Sequence, residues 1–112
     1  MEIVFPNDRL AREFSDTKTL VRNYGAENAQ RIRRRLDDLR AADSLATMRL
    51  LFGGRLHPLT GDLAGRFALD VRHPQRLIFE PADEPLPRLD DGSLDWTRVL
   101  RVRILRVEDY HA

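Results

Sequence analysis

The spacing of apolar residues changes character at Gly53-Gly54. Before this pair they recur every three or four residues, as Leu10 and Phe14 and then as Ala29, Ile32, Leu36 and Leu39. That spacing lines one face of an α-helix. After the pair they alternate: Phe67, Leu69 and Val71 with Arg66, Ala68 and Asp70, then Leu100, Val102 and Ile104 with Arg101 and Arg103. A period of two belongs to half-buried strands. Helices followed by a strand meander predict an α+β domain, with N-terminal helices packed on one face of a small, mainly antiparallel sheet. A chain of 112 residues holds one such domain, and its 42% hydrophobic and 33% charged residues suit a folded chain.

Turn and cap residues place the boundaries. Glu2 to Phe5 reads as a short edge strand ended by Pro6, and Asn7 or Asp8 caps the first helix. Asp16 to Tyr24 forms a second helical piece stopped by Gly25, and Ser44 caps a last short one. Leu56 to Leu59 is extended, Thr60-Gly61-Asp62 turns, and His73-Pro74-Gln75 leads into a strand from Arg76 to Glu80. Pro81, Pro85, Pro87 and Asp91-Gly92 mark a loop at about 81–97, a length of roughly fifteen residues that signals a functional or variable segment. Leu105-Arg106-Val107 breaks the final alternation, which predicts a bulge.

Of the 19 basic residues only Lys18 is lysine; the other 18 are arginine. Arginine binds phosphate in a bidentate fork and stacks on bases, so the bias suits contact with nucleic acid. Codon bias in a GC-rich genome explains it equally well. Placement says more: Arg31, Arg33, Arg34, Arg35 and Arg40 crowd one helix, and Arg98, Arg101, Arg103 and Arg106 gather late in the chain. Acids concentrate between Glu80 and Asp95, facing only Arg88 along the sequence. The chain has no cysteine, which excludes disulfides and thiolate chemistry. No apolar run is long enough to span a membrane, and MEIVFPNDRL lacks the pattern of a signal peptide, so the expected location is cytoplasmic.

His57, His73 and His111 show no i, i+4 pairing, and phosphate-loop, dinucleotide and serine-hydrolase motifs are absent, so neither a metal nor a cofactor is expected. What remains is polar residues at strand ends: His57, Arg76, and Asp109-Tyr110-His111. Gathered on an uncovered sheet face, they would supply what RNA cleavage needs. That is a base for the 2′-hydroxyl, an acid for the leaving 5′-oxygen and a cation for the phosphorane. Each also has an ordinary reading: a hydrogen-bonded strand histidine, an ion-paired arginine, a tyrosine covering the sheet, a solvated tail.

The run Leu56-His57-Pro58-Leu59-Thr60-Gly61-Asp62-Leu63-Ala64-Gly65, with Arg76-Leu77-Ile78-Phe79 and Glu108-Asp109-Tyr110-His111, resembles HigB-type toxins of the RelE/ParE superfamily. The early helices and Arg31-Ile32-Arg33-Arg34-Arg35-Leu36 fit the same layout, so the resemblance covers nearly the whole chain. It implies a RelE-like fold and a ribosome-dependent mRNA endonuclease of a type II toxin–antitoxin system. The implied partners are the ribosome, mRNA and a HigA-type helix-turn-helix antitoxin, with operator DNA reached only through the antitoxin complex. By the same resemblance, His57 and His111 transfer protons, Tyr110 positions a base, Asp109 orients its neighbours and Arg76 holds the scissile phosphate. The family divides acid and base roles variously, so neither is assigned to one histidine. Thr60 stands where many relatives carry lysine, leaving Arg55 or Arg66 as substitute phosphate contacts; Arg33 and Arg34 would meet ribosomal RNA. Arg66-Phe67 stands where relatives often have an aromatic pair, so base stacking would fall to Phe67 if it faces the site. A ParE-like gyrase inhibitor and a non-catalytic binding module are the alternatives; ParE-like chains generally lack the Asp-Tyr-His set.

Overall fold

The computed structural model describes residues 1–109. Strand β1 (Glu2–Val4) leads into four helices: α1 (Asp8–Ser15), α2 (Thr17–Tyr24), α3 (Ala26–Ala41) and α4 (Leu45–Phe52). Polar side chains cap three of the four helices. The Asn7 side chain accepts from the Leu10 N–H at 2.9 Å, Asp16 caps α2 and Ser44 caps α4. Gly25, at a φ of +85°, serves as both the end of α2 and the start of α3, a conformation that side-chain-bearing residues rarely adopt.

Four more strands follow: β2 (Leu56–Pro58), β3 (Phe67–Arg72), β4 (Gln75–Pro81) and β5 (Arg101–Asp109). The sheet order is β1-β5-β4-β3-β2. Only the β1–β5 pair is parallel; β2 through β5 form an antiparallel meander. Helix α3 lies across the sheet, in contact with β3 and β1, and α2 packs on α3. Its stripe of Ala29, Ile32, Leu36 and Leu39 is buried against Leu69, Leu77, Phe79, Val102 and Ile104. One face of the sheet is thus sealed by helices, and the other is open.

Two register shifts interrupt the meander, and the one in β5 decides which side chains reach the open face. In β5 the register steps from Ile78↔Arg106 to Phe79↔Ile104, so Leu105 is the extra residue, at the place where the sequence alternation breaks. Without it Arg103 and Arg106, three residues apart, would point to opposite faces. With it Arg103, Arg106 and Glu108 share the open face, while Val102, Ile104 and Val107 face the core. A second register shift falls between Asp70 and Arg72, and Val71 faces the core there by the same alternation as Phe67 and Leu69.

Three further features bear on the sequence reading. Phe67 does not face a site: it is 3% exposed, stacked on Phe79 with centroids 5.6 Å apart and met edge-on by Trp96 at 4.9 Å. It belongs to the core because its register partner Phe79 points inward. The 81–97 segment is tied down along its length. Arg88 bridges to Leu94, Arg49 lies over Trp96, and the Asp83 carboxylate accepts from the Leu100 and Arg101 N–H groups. The charge is also less polarised in space than along the chain. Glu80 pairs with Arg66 and Arg103, and the Thr97 hydroxyl and Arg98 hold the Asp95 carboxyl below its usual range.

Candidate active site

The open face carries two rows of polar side chains with a small apolar strip between them. The strip is Ala68 and Ile78, buried and opposite each other across β3 and β4. His57 flanks it on β2, and Arg106 flanks it on β5. Strand alternation predicts an outward, half-exposed Ala68. A methyl group this small is instead fully covered in a row that ends in an imidazole and a guanidinium.

At one end of the strip stand His57, Asp70 and Arg76. Asp70 and Arg76 are direct register partners across the β3–β4 hairpin. The Oδ1 of Asp70 lies 3.0 Å from His57 Nε2 and 2.9 Å from Arg76 Nε. The three side chains keep 30%, 35% and 23% of their exposure, so a ligand can reach them while much of their hydration is already lost. The Asp70 backbone is held as well: its carbonyl accepts from Arg35 Nε of α3 at 2.9 Å, and Arg35 also pairs with Asp38. Arg76 is in register with Glu108 on its other side, and Gln75 with Asp109. Asp109 therefore ends β5 beside this cluster. Tyr110 and His111 lie outside the described residues.

The other predicted residues are distributed around this centre. Arg66 sits at the opposite end of the strip, where it and Arg103 converge on Glu80 at 3.4 and 2.7 Å. Arg66, Glu80 and Arg103 line an open cleft of about 550 Å³ bounded by Asp83 to Leu86. Arg55 precedes β2, exposed, with its guanidinium 4.9 Å from the Phe52 ring, and Arg35 approaches the same ring at 5.1 Å. Arg33 and Arg34 are exposed on the surface of α3, away from its buried stripe. The helix layer separates them from the open face, so the fold does not bring them to His57 and Arg76.

Asp70 and Arg103 are the site-face residues that motif reading passes over. Asp70 shares the outward parity of β3 with Ala68, a usable signal, but only pairing across the hairpin shows it beside Arg76. Arg103 needs the bulge. Among the described residues no three His, Cys, Asp or Glu side chains gather as metal ligands would, and no helix is long and apolar enough to cross a membrane.

No protein-family model matches the chain, and no curated protein matches it in sequence. Among solved structures it is similar to the YoeB/ParE toxin from Agrobacterium tumefaciens, over 99% of this chain and 100% of that one, with a TM-score of 0.55. The fold is that of the RelE/ParE toxins. Sequence identity is 15%, so the likeness is one of architecture. Fold does not carry chemistry with it; the side chains on the open face must do that.

Proposed function

We propose that this chain is the toxin of a type II toxin–antitoxin system and cleaves mRNA on the ribosome as an endoribonuclease of the HigB type. The observation that carries the reading is the His57–Asp70–Arg76 cluster on the uncovered sheet face, beside the strand end that leads to Tyr110 and His111. The toxin fold supports the class, and the Leu56–Gly65 and Glu108–His111 motifs support the subgroup.

The chemistry is in-line transfer. A base removes the proton of a ribose 2′-hydroxyl, and the 2′-oxygen attacks the adjacent phosphorus. The P–O5′ bond then breaks as an acid protonates the leaving 5′-oxygen. The products are a 2′,3′-cyclic phosphate and a 5′-hydroxyl. In this reading His57 and His111 share the proton transfers and Arg76 stabilises the charge gathering on the phosphorane. Tyr110 stacks on a base, and Asp109 orients the groups around it. Arg55 and Arg66 hold flanking phosphates in place of the missing lysine at Thr60. Arg33 and Arg34, on the far side of α3, fit ribosomal RNA rather than the cleaved strand. A helix-turn-helix antitoxin of the HigA type neutralises the toxin in the cytoplasm.

Mapping 5′ ends of cellular mRNA after a brief induction tests this, with wild type beside His57→Ala and His111→Ala. New codon-phased internal ends in wild type alone are the expected result. Growth arrest without new ends would move the assignment to a non-nuclease toxin of the ParE kind, and no arrest at all would remove the toxin assignment.

A further inference from the structure

The bonds around Asp70 specify more than proximity. A carboxylate paired with a guanidinium only accepts hydrogen bonds, so the 3.0 Å contact between Asp70 Oδ1 and His57 Nε2 requires the proton on Nε2. Neutral imidazole carries one ring proton, so its lone pair is then on Nδ1. Nδ1 makes no hydrogen bond to any described residue. We propose that Asp70 is a positioning residue: it fixes the tautomer and tilt of His57, so that Nδ1 is the atom that takes the 2′-hydroxyl proton. The inference rests on the nuclease reading for its chemical consequence, although the tautomer itself does not.

Three features make Asp70 suited to this task. Its backbone is pinned by Arg35 from the helix layer, so its side chain starts from a fixed point. The register shift that follows at Val71 leaves Asp70 as the last open-facing residue of regular β3, opposite Arg76. The same Oδ1 forms an ion pair with Arg76 Nε at 2.9 Å, which ties the base to the phosphate-binding arginine through one atom. A displacement of Asp70 would therefore move both groups together. When His57 has taken the proton, both ring nitrogens are donors, and the Nε2–H···Oδ1 bond becomes an ion pair that stabilises the imidazolium.

The test uses the full chain with ¹⁵N-labelled histidines, read by long-range ¹H–¹⁵N spectra in mildly alkaline solution. His57 is assigned by its loss in His57→Gln. Wild type should show neutral His57 with its proton on Nε2, and Asp70→Asn should shift population toward Nδ1–H, because an amide can donate to Nε2. In a translating extract, Asp70→Asn should lower kcat for mRNA cleavage by roughly a hundredfold, the low end of what a general base contributes. KM should change little, and Asp70→Glu should recover part of the rate. Wild-type His57 protonated on Nδ1 would overturn the proposal even if the variant fails to fold. So would an Asp70→Asn protein with unchanged kcat. A wild type that has the Nε2–H tautomer but cleaves no RNA would leave the tautomer assignment standing and overturn the nuclease reading alone.

Discussion

The open face holds two clusters built to one plan, a carboxylate between two nitrogen-bearing side chains. At one end Asp70 lies between His57 and Arg76; at the other Glu80 lies between Arg66 and Arg103. Both are partly buried, both are paired across adjacent strands, and only a strip of two apolar residues separates them. The difference that matters is an imidazole in place of a second guanidinium. Imidazole can accept and release a proton near neutral pH, whereas a guanidinium stays charged throughout. The first cluster therefore holds an imidazole suited to acid–base chemistry near neutral pH, and the second presents two guanidinium groups suited to holding an anion. On the proposed function, the exposed face divides into a reacting end and a holding end.

This contrast can be broken by substitution, and the largest effect belongs to the reacting end. Arg76→Ala should lower kcat for RNA cleavage by about 10²–10³, the scale of losing one preorganised charge-stabilising donor. Arg66→Ala should cost only a few-fold; single-turnover rates at saturating protein measure both. At the holding end the signature is electrostatic. The Arg66→Gln/Arg103→Gln double variant should reduce the slope of log affinity for single-stranded RNA against log salt by about 0.7 for each phosphate no longer neutralised. Fluorescence-anisotropy titrations at several salt concentrations would show it.

Glu80→Gln sharpens the comparison further. It frees two arginines from their carboxylate, so RNA affinity should rise slightly, and unfolding stability should fall by no more than about 1 kcal/mol in denaturant titrations, as is usual for partly exposed pairs. The smallest effect is expected outside both clusters. Asp95 is held below the usual carboxylate range by the Thr97 hydroxyl first and by Arg98 second. A depressed folded-state pKa contributes stability that is present above the unfolded value, near 3.9, and is lost as pH falls through the folded value. Asp95→Asn should therefore make unfolding stability fall slightly less steeply as pH drops through the acid range, and leave cleavage untouched.

The layer order was legible in the sequence because each layer repeats with its own period. Ala29, Ile32, Leu36 and Leu39 mark a helix stripe without ambiguity, and Phe67, Leu69 and Val71 mark a strand. Even the bulge at Leu105 left a trace, as a broken alternation. His57 and Arg76 could be picked out as polar residues at strand ends and by their motifs. Their partner could not. Asp70 contacts both through hairpin pairing and not through sequence spacing, and an aspartate at an outward strand position has no signature of its own. Phe67 shows the reverse failure: aromatic residues suit a stacking site and a core equally, and the inward pointing of Phe79 decided the matter. Arg33 and Arg34 illustrate a third limit, since a dense run of arginines shows charge but not which side of the molecule carries it.

The most direct test of the division between the two ends is a side-by-side cleavage assay in a translating extract. His57→Ala and Arg103→Ala each remove one cationic-capable partner from an otherwise equivalent cluster. His57→Ala should leave the message intact, a loss of about 10²–10⁴ in rate. Arg103→Ala should cut at the wild-type positions within a few-fold of the wild-type rate. Equal losses in the two variants, or a larger loss in Arg103→Ala, would contradict it.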